Sequence, residues 1–338
     1  MLCWGGVGGR VAAMQTILPH RMGAGGSTTA LVPGLRTHSR PVLGVVLLIL
    51  LAAFAARTGN AAEGITAPDA KLEKLSGEFQ FTEGPAADAD GNVFFTDQPN
   101  DRIMKWSTDG KLSTFMQPCG RANGLCFDAK GQLLACADEN NQLWSIDPAG
   151  KSTVLLKDFG GKLLNGPNDL WLRPDGGIYF TDPFYKRSYW KRGPKEQDGE
   201  HVYYLPPNRQ NLRRVVTDLK QPNGIIGSPD GARLYVADIG AGKTYSYSVQ
   251  PDGNLADKQL FCEMGSDGLT IDNEGNVYLT GRGVIVFDRT GKKIEQIPVP
   301  ESWTANVCFG GKDRQTLFIT ASKGLYALRT RVKGVGSQ

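Results

Sequence analysis

Histidine is nearly missing from this sequence. Two of its three copies, His20 and His38, lie in the first 61 residues, which leaves His201 alone in the body. That scarcity rules out a multi-histidine zinc site and weighs against a Ser-His-Asp triad; no G-x-S-x-G elbow is present either. The six cysteines include no CxxC pair. Cys126, Cys136 and Cys308 sit in apolar strand-like runs and read as buried free thiols, with a single disulfide left open. No apolar run reaches the roughly 20 residues of a bilayer-spanning helix. Excess charge of one sign is absent from the body as well. Five of the 38 basic residues and none of the 34 acidic ones fall in residues 1–61, so the remainder is almost neutral. A near-neutral body lacks the basic footprint of a nucleic-acid binder. Finally, no convincing amphipathic helix follows residue 65.

What stands before the body reads as an address. Arg36, His38 and Arg40 precede an apolar core at 42–55, and small residues follow at Gly59, Ala61 and Ala62. A basic start, a short apolar stretch and a small-residue end describe a secretory signal peptide. Residues 1–62 are therefore read as a leader and 63–338 as one domain, exported to the periplasm or secreted, with no stable membrane span after processing. An uncleaved signal anchor is the alternative.

Glycine is plentiful, at 43 of 338 residues. Much of it falls in a repeat. Segments beginning at Glu83, Asn123, Asn168, Asn223, Asp267 and Asn306 share one plan: a polar residue, a small or apolar pair, a Gly-containing turn, then a β-rich run. NGLCFDAKGQLLACAD and NGIIGSPDGARLYVAD show it best. Successive copies start 39 to 55 residues apart, and most continue into a second hairpin around Asp-x-x-Gly or a similar turn. Four short antiparallel strands per repeat at this period are the signature of a propeller blade. The expected fold is an all-β, six-bladed β-propeller. Its last repeat has room for about three strands, so the segment KLEKLSGEFQF (71–81) is expected to supply the fourth and close the ring.

In a propeller the first strand of each blade lines the central channel. The six repeat-opening residues then start the innermost strands at one end, and all six carry side-chain oxygen. A ring of such oxygens suits a hard cation such as Ca²⁺, with Glu83 and Asp267 offsetting its charge. The bland alternative is that Asn-Gly and Asp-Gly only mark turns. A long insertion in the third repeat, 184–201, brings aromatic and cationic side chains, Tyr185 and Arg187 among them, and reads as a substrate-binding loop or a solvated one. Asp182, just before it, is taken as a pocket residue or a turn residue.

The motifs F-x-E-G-P, L-N-x-P-N-D followed by FTDP, P-N-G-I-x-x-S-P-D-G-x-x-L-Y-V-A-D and D-G-L-x-x-D-x-x-G-N-V-Y fall in order over about residues 70–330. In this the sequence resembles the gluconolactonase and senescence-marker-protein (regucalcin) family. The resemblance implies a divalent cation, usually Ca²⁺ with Mg²⁺, Mn²⁺ or Zn²⁺ as alternatives, and hydrolysis of a small-molecule sugar lactone. It places metal ligands at Glu83, Asn168, Asn223 and Asp267, and the catalytic carboxylate at Asp267. Asn123, Asp182 and Tyr185 are the substrate-binding candidates. Some lactonases of this family have an arginine two residues before the third-blade asparagine; here that position is Gly166. Two other functions remain: hydrolysis of other esters or organophosphate-type compounds at the same site, and a non-enzymatic interaction propeller with a structural cation.

Overall fold

The computed structural model describes residues 64–187, 190 and 193–335. The leader read at 1–62, including its apolar core, lies outside them. Among the described residues no helix is long and apolar enough to cross a membrane.

Each repeat folds as a four-stranded antiparallel sheet. Ahead of the repeats comes β1 (Glu73–Ser76). The first blade is β2 (Thr82–Ala87), β3 (Val93–Asp97), β4 (Arg102–Trp106) and β5 (Leu112–Met116). The second is β6 (Leu125–Phe127), β7 (Leu133–Ala137), β8 (Gln142–Ile146) and β9 (Ser152–Leu156), followed by a small hairpin, β10 (Asp158–Phe159) and β11 (Lys162–Leu163). The third holds β12 (Leu170–Leu172), β13 (Ile178–Asp182), β14 (His201–Leu205) and β15 (Arg213–Val216). The fourth holds β16 (Pro222–Gly227), β17 (Arg233–Asp238), β18 (Lys243–Val249) and β19 (Leu255–Cys262). The fifth is β20 (Leu269–Ile271), β21 (Val277–Gly281), β22 (Gly283–Phe287) and β23 (Lys293–Ile297). The sixth is β24 (Thr304–Gly310), β25 (Thr316–Ala321) and β26 (Gly324–Arg329), with β1 as its outer strand. That closure pairs Glu73 with Ala327 and Lys74 with Tyr326, so the strand expected from 71–81 does complete the ring.

Six hydrophobic clusters hold the blades together, each filled mainly from two neighbouring sheets. Between the sixth and first blades, Phe318, Leu325 and Ala327 meet Val93, Phe95 and Met104, with Phe79 from the closing segment packed among them. Between the fifth and sixth, Tyr278 and Val286 meet Val307, Phe309 and Leu317. Alternation explains this economy. The second strands of four blades, Val93–Asp97, Leu133–Ala137, Ile178–Asp182 and Val277–Gly281, are buried along their whole length, because both faces meet a neighbouring blade.

Polar ties supplement the packing near the axis. Hydroxyls near the ends of three second strands donate to carbonyls of the next blade: Thr96 to Asn123 O at 3.2 Å, Thr181 to Asn223 O at 2.7 Å and Thr280 to Ala305 O at 2.8 Å. Such bonds satisfy inner-strand carbonyls that no water reaches. The five cysteines in the described region are free thiols. Burial pushes Cys119, Cys126 and Cys308 up to about 12, so they are packing groups rather than nucleophiles.

Candidate functional site

The repeat-opening residues lie at one end of the inner strands, five of them buried and Asp267 half-buried, but not in one backbone setting. Glu83 and Asn223 are the second residues of β2 and β16, and Asn306 is the third of β24. Asn123, Asn168 and Asp267 each stand two residues ahead of β6, β12 and β20. The glycines that follow four of them are not merely turn-formers. A Cβ on Gly84, whose φ is +41°, would lie 1.9 Å from Asn123 O of the next blade. One on Gly268 would lie 2.0 Å from Asn306 Cγ, and Gly124 and Gly224 are crowded in the same way by the blade that follows. Glycine is required because consecutive inner strands approach backbone to backbone around the axis.

Where four repeats have this glycine, the sixth has Val307 and the third places Asp169. Its carboxylate accepts from Leu170 N at 2.9 Å and reaches Ile225 N of the fourth blade at 3.4 Å. The nearby Asn306 amide acts to lower both the Asp169 carboxyl and that of Glu83. Burial raises Asp169 to about 7 even so. Further along the channel, a cavity of about 150 Å³ extends past Cys126, Phe127, Trp171 and Cys308.

Around Asp267 the contacts are direct. Asn223 Nδ2 donates to its Oδ1 at 2.8 Å, and Trp303 Nε1 donates to its Oδ2 at 2.6 Å. Asn223 Nδ2 also donates to the Tyr185 hydroxyl at 2.7 Å, which ties the third-blade insertion to the ring. Burial raises the Asp267 carboxyl, against the Trp303 and Asn223 hydrogen bonds and the nearby Arg187 charge. Burial pushes Glu83 well above the usual carboxylate range, and the Asp267 and Asp169 charges add to it; the Gly84 N–H at 2.8 Å opposes them. Tyr185 is raised by burial in the same surroundings. Among the described residues, the Arg187 charge acts on Asp267 without offsetting its burial.

That deficit bears on the cation. The Asn223 Oδ1 is buried with no hydrogen-bond partner, an oxygen left unspent beside two carboxylates. Among the described residues no three His, Cys, Asp or Glu side chains cluster as a metal-binding group. The available donors are therefore two carboxylates with carboxamide oxygens, a set that fits a hard divalent cation rather than a thiolate- or imidazole-bound one.

Of the residues expected from sequence, Asn223, Asp267 and Tyr185 form one hydrogen-bonded group, with Glu83 in electrostatic contact. Asn168 and Asn123 share the ring: Gly124 N donates to Asn168 O at 2.7 Å, and Asn123 keeps a buried, unpartnered Nδ2. Asp182 has the turn role. It accepts from Asn165 N at 2.9 Å and Gly166 N at 2.8 Å, as Asp97 accepts from Gln80 N and Asp238 from Gln221 N, both at 3.0 Å. It is the third-blade copy of a loop clamp also found at the ends of β3 and β17. Trp303 and Asp169 were not anticipated. Asp169 was visible as one of two repeats, with Val307 in the sixth, that lack the glycine after the opening residue; Trp303 sits in a loop with no pattern to mark it.

A family model described as the SMP-30/Gluconolactonase/LRE-like region matches residues 81–323. The gluconolactonase of Zymomonas mobilis is 29% identical over 294 residues, covering 78% of this chain and 82% of that protein. A gluconolactonase of known structure from Xanthomonas campestris is 32% identical with a TM-score of 0.75, covering 80% of this chain and 93% of the other. A calcium-binding regucalcin from Agrobacterium tumefaciens, 20% identical with a TM-score of 0.66 over 78% of this chain and 95% of that one, shares the fold. With matching motifs in order, a shared propeller and a family model spanning most of its length, this chain belongs to the SMP-30/gluconolactonase/LRE-like family.

Proposed function

We propose that this protein hydrolyses sugar lactones with the help of a divalent cation, Ca²⁺ first among the candidates. Glu83, Asn168, Asn223 and Asp267 would hold it. When bound, such a cation polarises a carbonyl oxygen and makes a neighbouring water more acidic. The observation that carries this reading is the Glu83–Asp267 pair: a buried and a half-buried carboxylate in electrostatic contact, with the Asn223 carboxamide bonded to Asp267 and its oxygen unspent. Lactone-hydrolysing relatives among the similar proteins support the substrate class.

The chain's own residues do the proton work. Trp303 and Asn223 fix the Asp267 carboxylate in one orientation. As water adds to the lactone carbonyl, Asp267 takes its proton. When the ring C–O bond breaks, the same proton passes to the departing ring oxygen, so one water is consumed and a hydroxy acid leaves. Burial makes Asp267 a stronger base than a free aspartate, which counters the weakening a bound cation imposes. A lactone is an undemanding substrate, so a carboxylate base suffices without a nucleophilic serine.

The test is hydrolysis of a panel of aldonolactones and simple esters by chelator-treated protein, then with Ca²⁺, Mg²⁺, Mn²⁺ or Zn²⁺ restored. The proposal expects lactone turnover that disappears with chelation and returns with a divalent ion. Turnover unchanged after complete metal removal, or ester turnover without lactone turnover, overturns it.

A further inference from the structure

The third-blade insertion places one arginine in an unusual position. The guanidinium carbon of Arg187 lies 5.0 Å from the Tyr185 ring centroid and 5.3 Å from that of Trp190. Its side chain is 23% exposed, so it is neither buried nor free in solvent. Trp190 N donates to the Arg187 backbone carbonyl at 3.1 Å, but among the described residues the guanidinium makes no hydrogen bond, and its Nε is buried without a hydrogen-bond partner. Asp138 Oδ2 lies 3.8 Å away as an ion-pair partner, but that oxygen already accepts from Gln98 Nε2 at 3.0 Å. An arginine carries five N–H donors in a rigid fork. Here two aromatic faces hold the fork while its donors stay unspent. It is also close to the chemistry: Tyr185 accepts from Asn223, Asn223 donates to Asp267, and the Arg187 charge is felt at Asp267.

We propose that Arg187 is a specificity-determining residue of this site, donating hydrogen bonds to hydroxyl oxygens of a neutral, polyhydroxylated lactone. This rests on the lactone reading above. The choice of a neutral acceptor follows from the surroundings. Asp138 already offsets the guanidinium charge, and Glu83, Asp169 and Asp267 make the channel end acidic. An anionic substituent would meet those carboxylates, whereas a hydroxyl oxygen needs only a donor. Tyr185 and Trp190 fix the fork in advance, so little ordering is left for binding.

The experiment compares wild-type protein with Arg187→Gln and Arg187→Lys on two substrates: glucono-δ-lactone, and δ-valerolactone, which has the same ring without hydroxyls. Thermal unfolding and Ca²⁺ titration are run on each protein beside the kinetics. Arg187→Gln is expected to lower kcat/KM on the hydroxylated lactone about 10–100-fold, mostly through KM. On δ-valerolactone, which feels the lost charge but offers no hydroxyls, the fall in kcat/KM should be at least about fivefold smaller, with unfolding unaltered. Arg187→Lys keeps the charge but not the fork and should recover only part of the loss. An equal loss on both lactones, or no loss on either, overturns the assignment while leaving the lactonase reading intact. Wild-type protein inert toward both lactones overturns that reading and this one with it.

Discussion

Replacing Asp267 by Asn keeps the side-chain volume and removes the charge, which separates its chemical role from its structural one. In the native site its two oxygens accept from Asn223 and Trp303, both N–H donors. An asparagine has one acceptor oxygen, so its own NH₂ must face one of those donors and one buried hydrogen bond is lost. That loss costs about 1–3 kcal/mol. Two relieved costs oppose it: the burial of a carboxylate, and its repulsion of Glu83, both of which already show as raised carboxyls. The terms are of similar size, so metal-free stability at neutral pH should stay within about 2 kcal/mol of wild type in urea denaturation. Activity has no such compensation; loss of the base should lower kcat about 10²–10⁴-fold. The pH dependence has a definite sign. A carboxyl raised in the folded state favours folding fully below its unfolded value, near 4.5 for Glu83 and 3.8 for Asp267, and that contribution fades as pH rises through the raised one. Chelated wild type should therefore lose stability above about pH 4.5, and the variant should lose less. A variant that turns over lactone within tenfold of wild type refutes the catalytic assignment. One that fails to fold refutes the energetic one.

Two further substitutions test the frame around the site. Phe79→Ala removes a ring that is 3% exposed and packs edge-on against Phe95 at 5.1 Å in the seam where the closing segment meets the first blade. It should cost about 3–5 kcal/mol in denaturant unfolding, and a cost below about 1 kcal/mol would mean the closing segment adds little. Gly268→Ala would drive a Cβ to 2.0 Å from Asn306 Cγ. It should cost about 1–3 kcal/mol, and lactone turnover should fall as Asn306 is pushed off Glu83 and Asp169; unchanged stability and turnover would refute the close-approach argument.

The parts of this molecule legible in its sequence are those written six times. Repeated turn and strand patterns gave blade number, strand number and the position of the channel-end ring. The shortage of strands in the last repeat pointed to closure by a segment from the start of the domain, found at Glu73–Ser76. Legibility failed where one copy acts alone. Trp303 reaches Asp267 from a loop, and its role depends on how the fifth and sixth blades meet rather than on any local pattern. Asp169 matters because a glycine is absent from its position while Asn306 lies across the channel, a relation no spacing encodes. Asp182 shows the reverse case. As a lone acid after a strand it left pocket and turn roles open, whereas beside Asp97 and Asp238 its hydrogen bonds mark a repeated clamp on backbone N–H groups.

The claim beneath all of this is that Glu83 and Asp267, with the asparagines beside them, share one ion. Isothermal titration of Ca²⁺ into chelator-treated protein measures it directly, for wild type and for the Glu83→Gln/Asp267→Asn double variant. The account predicts a single ion per chain for wild type and no detectable binding for the double variant, with both proteins folded. Equal binding by the two would place the ion elsewhere and contradict it.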